Sequence, residues 1–177
     1  MLTAIDTWGS SPRERAASYP CDELIEPPHH ALFRAIDIEA PAPLVFRWLC
    51  QMRVAPYSYD LIDNFGRPSP SRLIEGLDAL EVGQRFMIFR LASFEPGRSI
   101  TLDSTTPWFG HVAITYDVRD VGPATSRLVA KVLFVAPRNP YGFVMQRILP
   151  AGDLLMMRKQ LMNFRNLAER DVREGVT

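Results

Sequence analysis

The sequence predicts an α+β protein, an antiparallel sheet with helices packed on one face. Three observations carry this. Residues 84–136 hold four strand-like stretches in a row, parted by turn chemistry. Residues 153–172 hold a helical pattern with no breaker. A lone strand followed by a short amphipathic helix comes before both. Strands grouped apart from helices, rather than alternating with them, are the α+β arrangement. The 177 residues fit one domain, and a chain of this size buries roughly 70% of the surface it exposes when unfolded.

Residues 1–23 are mixed and polar, with Ser10, Ser11 and Pro12 as breakers, and read as an N-terminal arm. Pro27 and Pro28 close it, and residues 24–177 read as a single domain. Residues 31–39 (ALFRAIDIE) are rich in branched and aromatic side chains and predict a strand. Pro41 and Pro43 suit the first turn of a helix. Leu44, Val45, Trp48 and Leu49 then recur at helical spacing, so a helix is expected over about 42–53, stopped by Pro56.

Asn64, Gly66, Pro68 and Pro70 make the middle of 57–80 a loop, with short helical turns near 58–64 and 71–79. Residues 84–94, 98–105, 110–119 and 126–136 predict strands. Glu95-Pro96-Gly97, Thr106-Pro107 and Gly122-Pro123 mark the turns between them, which gives an antiparallel meander. Gly152-Asp153 reads as a helix start with Asp153 as N-cap, and the helix runs to about 172.

Periodicity assigns the faces. On the last helix Leu154, Met157, Leu161, Phe164 and Ala168 form one stripe. Gln160 falls inside the apolar arc, either as a half-solvated edge residue or as a polar anchor in an apolar cavity. In the strands, Leu128, Ala130, Val132 and Phe134 face in, as do Val112, Ile114, Tyr116 and Val118, and Ile100, Leu102 and Ser104. Residues 84–94 allow two facings. Burying Arg90 costs several kcal/mol unless it is paired, so Met87, Phe89 and Leu91 are taken as inward. Tyr116 is either a core tyrosine bonded to backbone or a cavity residue; its hydroxyl needs a partner in either case.

Several chemistries are excluded. Twenty basic residues balance twenty acidic ones, so no net field points to nucleic acid. Adjacent His29 and His30 in an extended segment point oppositely, and with His111 they make no metal centre, so no metal is expected. There is no glycine-rich phosphate loop and no nucleophile elbow, and no cofactor is expected. Cys21 and Cys50 are too few for a disulfide framework. The N-terminus lacks a continuous apolar stretch of the signal-peptide kind, and nothing approaches 18 apolar residues in a row. The expectation is a soluble, cytoplasmic protein without membrane insertion, a monomer or a homodimer. One constellation carries chemistry: Tyr57, Tyr59, Asp60 and Asp63. Two carboxylates three apart share one side of a helical turn and can divide acid and base roles. Alternatively Asp63 and Asn64 cap a turn and Asp60 pairs with Arg67 or Arg72.

A strand followed by Ala40-Pro41-Ala42-Pro43-Leu44-Val45-Phe46 resembles the opening of the START-like, polyketide cyclase/dehydrase (SRPBCC) superfamily. Val82-Gly83 followed by Phe94-Glu95-Pro96-Gly97-Arg98-Ser99-Ile100-Thr101-Leu102 resembles its core. Asp153 to Leu161 fits its long C-terminal helix. The resemblance spans about 31–171. It implies a helix-grip fold, a curved antiparallel sheet wrapped around a long C-terminal helix, with an apolar cavity between them. Members bind lipids, sterols, polyketides or hormones, and some catalyse cyclisation or dehydration. They share no catalytic motif, so no catalytic residue carries over.

The first expectation is therefore a binding protein for a small hydrophobic molecule. Phe89, Tyr116, Phe134, Met157 and Phe164 would line the cavity, Gln160 and Tyr59 would orient polar groups, Tyr57 would line the mouth or cover the core, and Trp108 would stand at the mouth or cover an end of the sheet. The second is a metal-free cyclase or dehydratase, with Asp60 or Asp63 as base and Tyr59 or Tyr116 as donor. The third is a protein-interaction module using Leu155 and Met162 on the last helix.

Overall fold

Ser11 and Glu14 build a reciprocal capping box around a short helix, α1 (Pro12–Ala16): Ser11 Oγ accepts from Glu14 N–H, and the Glu14 carboxylate accepts from Ser11 N–H at 2.6 Å. A 3-10 turn at Pro20–Glu23 follows. Strand β1 spans His30–Ile38, helix α2 spans Ala42–Cys50, and a 3-10 turn at Gln51–Arg53 prolongs α2. Then come β2 (Arg85–Phe86), β3 (Phe89–Glu95), β4 (Ser99–Thr106), β5 (Gly110–Gly122), β6 (Thr125–Val135) and helix α3 (Pro140–Arg173). The computed structural model describes residues 3–27, 29–59, 66–107 and 109–175.

The six strands form one antiparallel sheet in the order β1-β6-β5-β4-β3-β2. This is the helix-grip arrangement: α3 lies across the inner face of a curved sheet. The inward sets of β4, β5 and β6 meet Val45, Trp48 and Leu49 of α2 and Leu161, Phe164 and Ala168 of α3 in one core. Trp48 Nε1 donates to Asp171 Oδ2 at 3.0 Å and ties α2 to the end of α3.

The outer face of the sheet is apolar too. Phe33, Ala35, Ala113, Val129 and Leu133 would face water but for Tyr19, Cys21 and Ile25, which cover them. The described part of the arm is thus an ordered strap. Cys21 N–H donates to Thr115 Oγ1 at 3.0 Å. Lys131 Nζ lies 2.5 Å from the Asp22 carboxylate and over the Tyr19 and Phe33 rings. Arg127 holds Glu14 at 2.8 Å and Asp37 at 3.2 Å. Both cysteines are free and buried, Cys21 in the strap against the outer face and Cys50 in the inner core.

Three expectations change. The stretch 84–94 is not one strand. The chain reverses at Met87 and Ile88, where Met87 takes φ 54°, and Phe86 pairs with Phe89 across the turn. Alternation restarts after the turn, so Phe86 and Leu91 are both buried while Arg90 stays exposed. Residues 71–79 are turns without a helix.

The last helix begins at Pro140, capped by Asn139 Oδ1, which accepts from Gly142 N–H at 2.7 Å. It has 34 residues, about 51 Å at 1.5 Å per residue. Pro150 and Gly152 argue for a helix boundary, yet the helix runs through both. A proline there costs about 3 kcal/mol. Leu149 and Met157, one on either side of it, pack against the core and hold the helix together. Asp153 is therefore no N-cap and sits in mid-helix. Leu155 is exposed, whereas Met162 packs against the core.

Candidate functional site

Helix α3 packs on β1 and α2. Where it crosses the inner faces of β3, β4 and β5, a hollow of about 480 Å³ remains. Phe86, Phe89, Leu102, Val112, Ile114 and Val132 wall it on the sheet side, and Met145, Leu149, Met156 and Met157 on the helix side. Ile88, Phe109 and Ile148 stand at its mouth, 60%, 43% and 57% exposed. Gly110, at the base of the β4–β5 turn, has φ 74°, and a Cβ there would lie 2.0 Å from Val135 O, so only glycine lets β5 start beside the end of β6.

A few polar groups break the apolar wall. Tyr116 O–H donates to Gln160 Oε1 at 2.7 Å, with Met157 Sδ at 3.5 Å. Gln160 Nε2 donates in turn to Pro56 O at 2.6 Å. Burial pushes the Tyr116 hydroxyl far above its ordinary pKa, and the negative charge of Asp153 adds to the rise. Ser104 O–H donates to Ile88 O at 3.0 Å.

Asp153 also lines the hollow, and its partner is Arg34. Arg34 shares its face of β1 with Leu32, Ile36 and Ile38, so it points inward and is 0% exposed. Its Nη2 lies 2.7 Å from Asp153 Oδ2, and it donates through Nη1 to Phe33 O at 2.9 Å and through Nη2 to Pro150 O at 3.3 Å. Burial pushes the Asp153 carboxyl up to about 6, against the pull of the Arg34 charge and hydrogen bond. A carboxyl of this kind inside an apolar cleft is the mark of a functional group as well as of a structural pair.

The expected site residues separate into four groups. Phe89, Tyr116, Met157 and Gln160 line the hollow. Tyr57, Phe134 and Phe164 are in the packed core instead. Tyr57 meets Trp48 edge-on at 5.9 Å and Phe164 at 5.4 Å, and Phe134 stacks on His30 at 4.7 Å. Tyr59 is half-buried and not part of the wall. Asp60, Asp63 and Trp108 lie outside the described residues. Gln160 is not the half-solvated edge residue of the first alternative. It is buried, with carbonyl and amide both engaged, and acts as a strut between Tyr116 and the chain after α2.

Arg34 and Asp153 are absent from the expected site residues, though each left a signal. Alternation from Leu32 places Arg34 on the core face of its strand. Asp153 precedes Met157, Gln160 and Phe164 by four, seven and eleven residues, the spacing of one helix face.

No protein-family model matches the chain, and no curated protein does. Solved structures do. The Zhui aromatase/cyclase from Streptomyces sp. R1128 superposes with a TM-score of 0.55 at 16% identity, over 83% of this chain and 98% of that one. Protein CV1439 from Chromobacterium violaceum gives 0.52 at 15% identity, over 79% and 98%. The di-domain ARO/CYC BexL from the BE-7585A biosynthetic pathway gives 0.50 at 17% identity, over 81% of this chain and 47% of that one. At such identities the likeness establishes the helix-grip fold.

Proposed function

We propose that the protein binds a hydrophobic small molecule, of lipid, polyketide or aromatic type, in the hollow between sheet and α3. The observation that carries the reading is the hollow itself, about 480 Å³ with apolar walls. Protein interiors leave few voids larger than a water molecule, and ligand pockets span about 300–1,000 Å³ with apolar walls and a few placed polar groups. Lining atoms without neighbours forfeit dispersion contacts, so an apolar guest recovers stability. At 100 times its dissociation constant a ligand stabilises the fold by about 2.7 kcal/mol. At roughly 2–4 °C per kcal/mol, that is a melting shift of about 5–11 °C. A thermal-shift screen of lipids and polycyclic aromatics tests this; no shift beyond noise across the library contradicts it.

A second reading, a cyclase or dehydratase acting on such a ligand, is favoured by Asp153. Its carboxyl, pushed up to about 6, suits acid–base work near neutral pH and reaches the cavity. Two structural neighbours are described as aromatase/cyclases, which supports the reading by analogy of fold only. Turnover of a polyketide-type substrate that vanishes in Asp153→Asn while binding persists would favour the enzyme. Recovery of every bound substrate unchanged would favour plain binding.

A further inference from the structure

We infer that the ligand carries a neutral hydrogen-bond donor, a hydroxyl above all, at the end that enters beside Asp153, and that Asp153 Oδ1 accepts from it. This rests on the binding reading above and narrows its ligand class.

Around Asp153, the polar groups whose bonds are seen offer acceptors rather than donors. Asp153 Oδ2 faces Arg34 at 2.7 Å, while Oδ1 accepts from no described residue. Tyr116 has committed its proton to Gln160, which leaves lone pairs and no donor toward the hollow. Ser104 has committed its proton to Ile88 O. Beside Asp153, Gly152 leaves open space on the same wall: a Cβ added there meets nothing within 4 Å. Asp153 itself lines the hollow, so an incoming group can reach the carboxylate, and to bond Oδ1 it has to donate.

The same geometry rejects anions. Arg34 is the nearest positive charge, but it lies behind Asp153, wholly buried and outside the cavity wall. A ligand carboxylate would meet the Asp153 carboxylate first, in a medium that screens poorly. A cation would be drawn to the same carboxylate, but only at the full cost of stripping its own water in an apolar hollow. A neutral hydroxyl on an apolar skeleton satisfies Oδ1 at the least desolvation. At pH 7.5 the Asp153 carboxyl is ionised, so the bond is charge-assisted and among the strong ones.

The test uses one skeleton with three heads: naphthalene, 2-naphthol and 2-naphthoate, each bound to the full chain and measured by equilibrium dialysis at pH 7.5. The expected result is 2-naphthol at least about tenfold tighter than naphthalene, and 2-naphthoate at least about tenfold weaker than 2-naphthol. In an Arg34→Met, Asp153→Leu double variant, which removes both charges together, 2-naphthol loses its advantage over naphthalene, read as the ratio of the two affinities. The wild-type series decides alone if that variant does not fold. Naphthalene binding as tightly as 2-naphthol, or 2-naphthoate matching it, overturns the inference and leaves the cavity reading standing. Failure of all three to bind removes both.

Discussion

Arg34 and Asp153 form a charge pair across the interior, one from β1 and one from mid-α3. A buried pair is a weak source of stability, but breaking it is costly, because the surviving charge is left without a partner. Arg34→Met is expected to destabilise by about 3–5 kcal/mol at pH 8, read from urea denaturation. The loss should shrink at pH 5. The folded Asp153 carboxyl titrates near 6, above its ordinary 3.8, so its contribution is complete below about 3.8 and is lost as pH rises through about 6. Protonated, it no longer needs Arg34. An equal loss at both pH values would mean that Asp153 does not titrate in this window. This pair shows what was legible at the scale of single residues. Strand alternation put Arg34 on the core face, but the separate stretches of sequence give no hint that its partner lies more than a hundred residues on. Gln160 was legible as a polar residue in an apolar arc; that Tyr116 and Pro56 use up both its ends depends on tertiary placement alone.

Among the elements, the strands β1, β4, β5 and β6 follow closely from period-two patterning, because each has one face in the core and so carries a strong signal. Two places misled. In 84–94 a tight turn at Met87 breaks the pattern without glycine, asparagine or proline to announce it. In α3 the opposite occurs: Pro150 and Gly152 announce a boundary that tertiary packing overrides. Proline at position 150 leaves the Gln146 carbonyl without its helical donor. Pro150→Ala should supply that N–H and raise stability by about 1–3 kcal/mol. A fall in melting temperature would show that the ring itself is needed, either for packing or to set the course of α3 over the cavity.

For the whole molecule, the arm and the hollow matter most. The strap seals the outer face of the sheet and is pinned where Arg127 meets Glu14. Burial alone would raise the Glu14 carboxyl, but Arg127 and Ser11 hold it down at about 2, below its ordinary 4.5. Its contribution is therefore full above pH 4.5 and is lost as pH falls toward 2. Glu14→Gln should lower stability at pH 7 and flatten the decline between pH 4.5 and 2, seen by urea denaturation at pH 7 and pH 3. An unchanged profile would show that the clamp contributes nothing. The sequence suggested an arm from its breakers, yet the apolar residues it covers were visible only as the non-core positions of each strand. A hollow is harder still to read, because it depends on how far α3 stands from β3, β4 and β5, and patterning says only which side chains face each other. Val112, half-buried on the cavity wall, gives the most direct test. Titration with the neutral dye N-phenyl-1-naphthylamine should give saturable, one-to-one fluorescence enhancement in the wild type and little or none in Val112→Trp, whose indole fills the space while the fold persists by circular dichroism. Enhancement that never saturates, or that survives Val112→Trp unchanged, would contradict a binding hollow between sheet and helix.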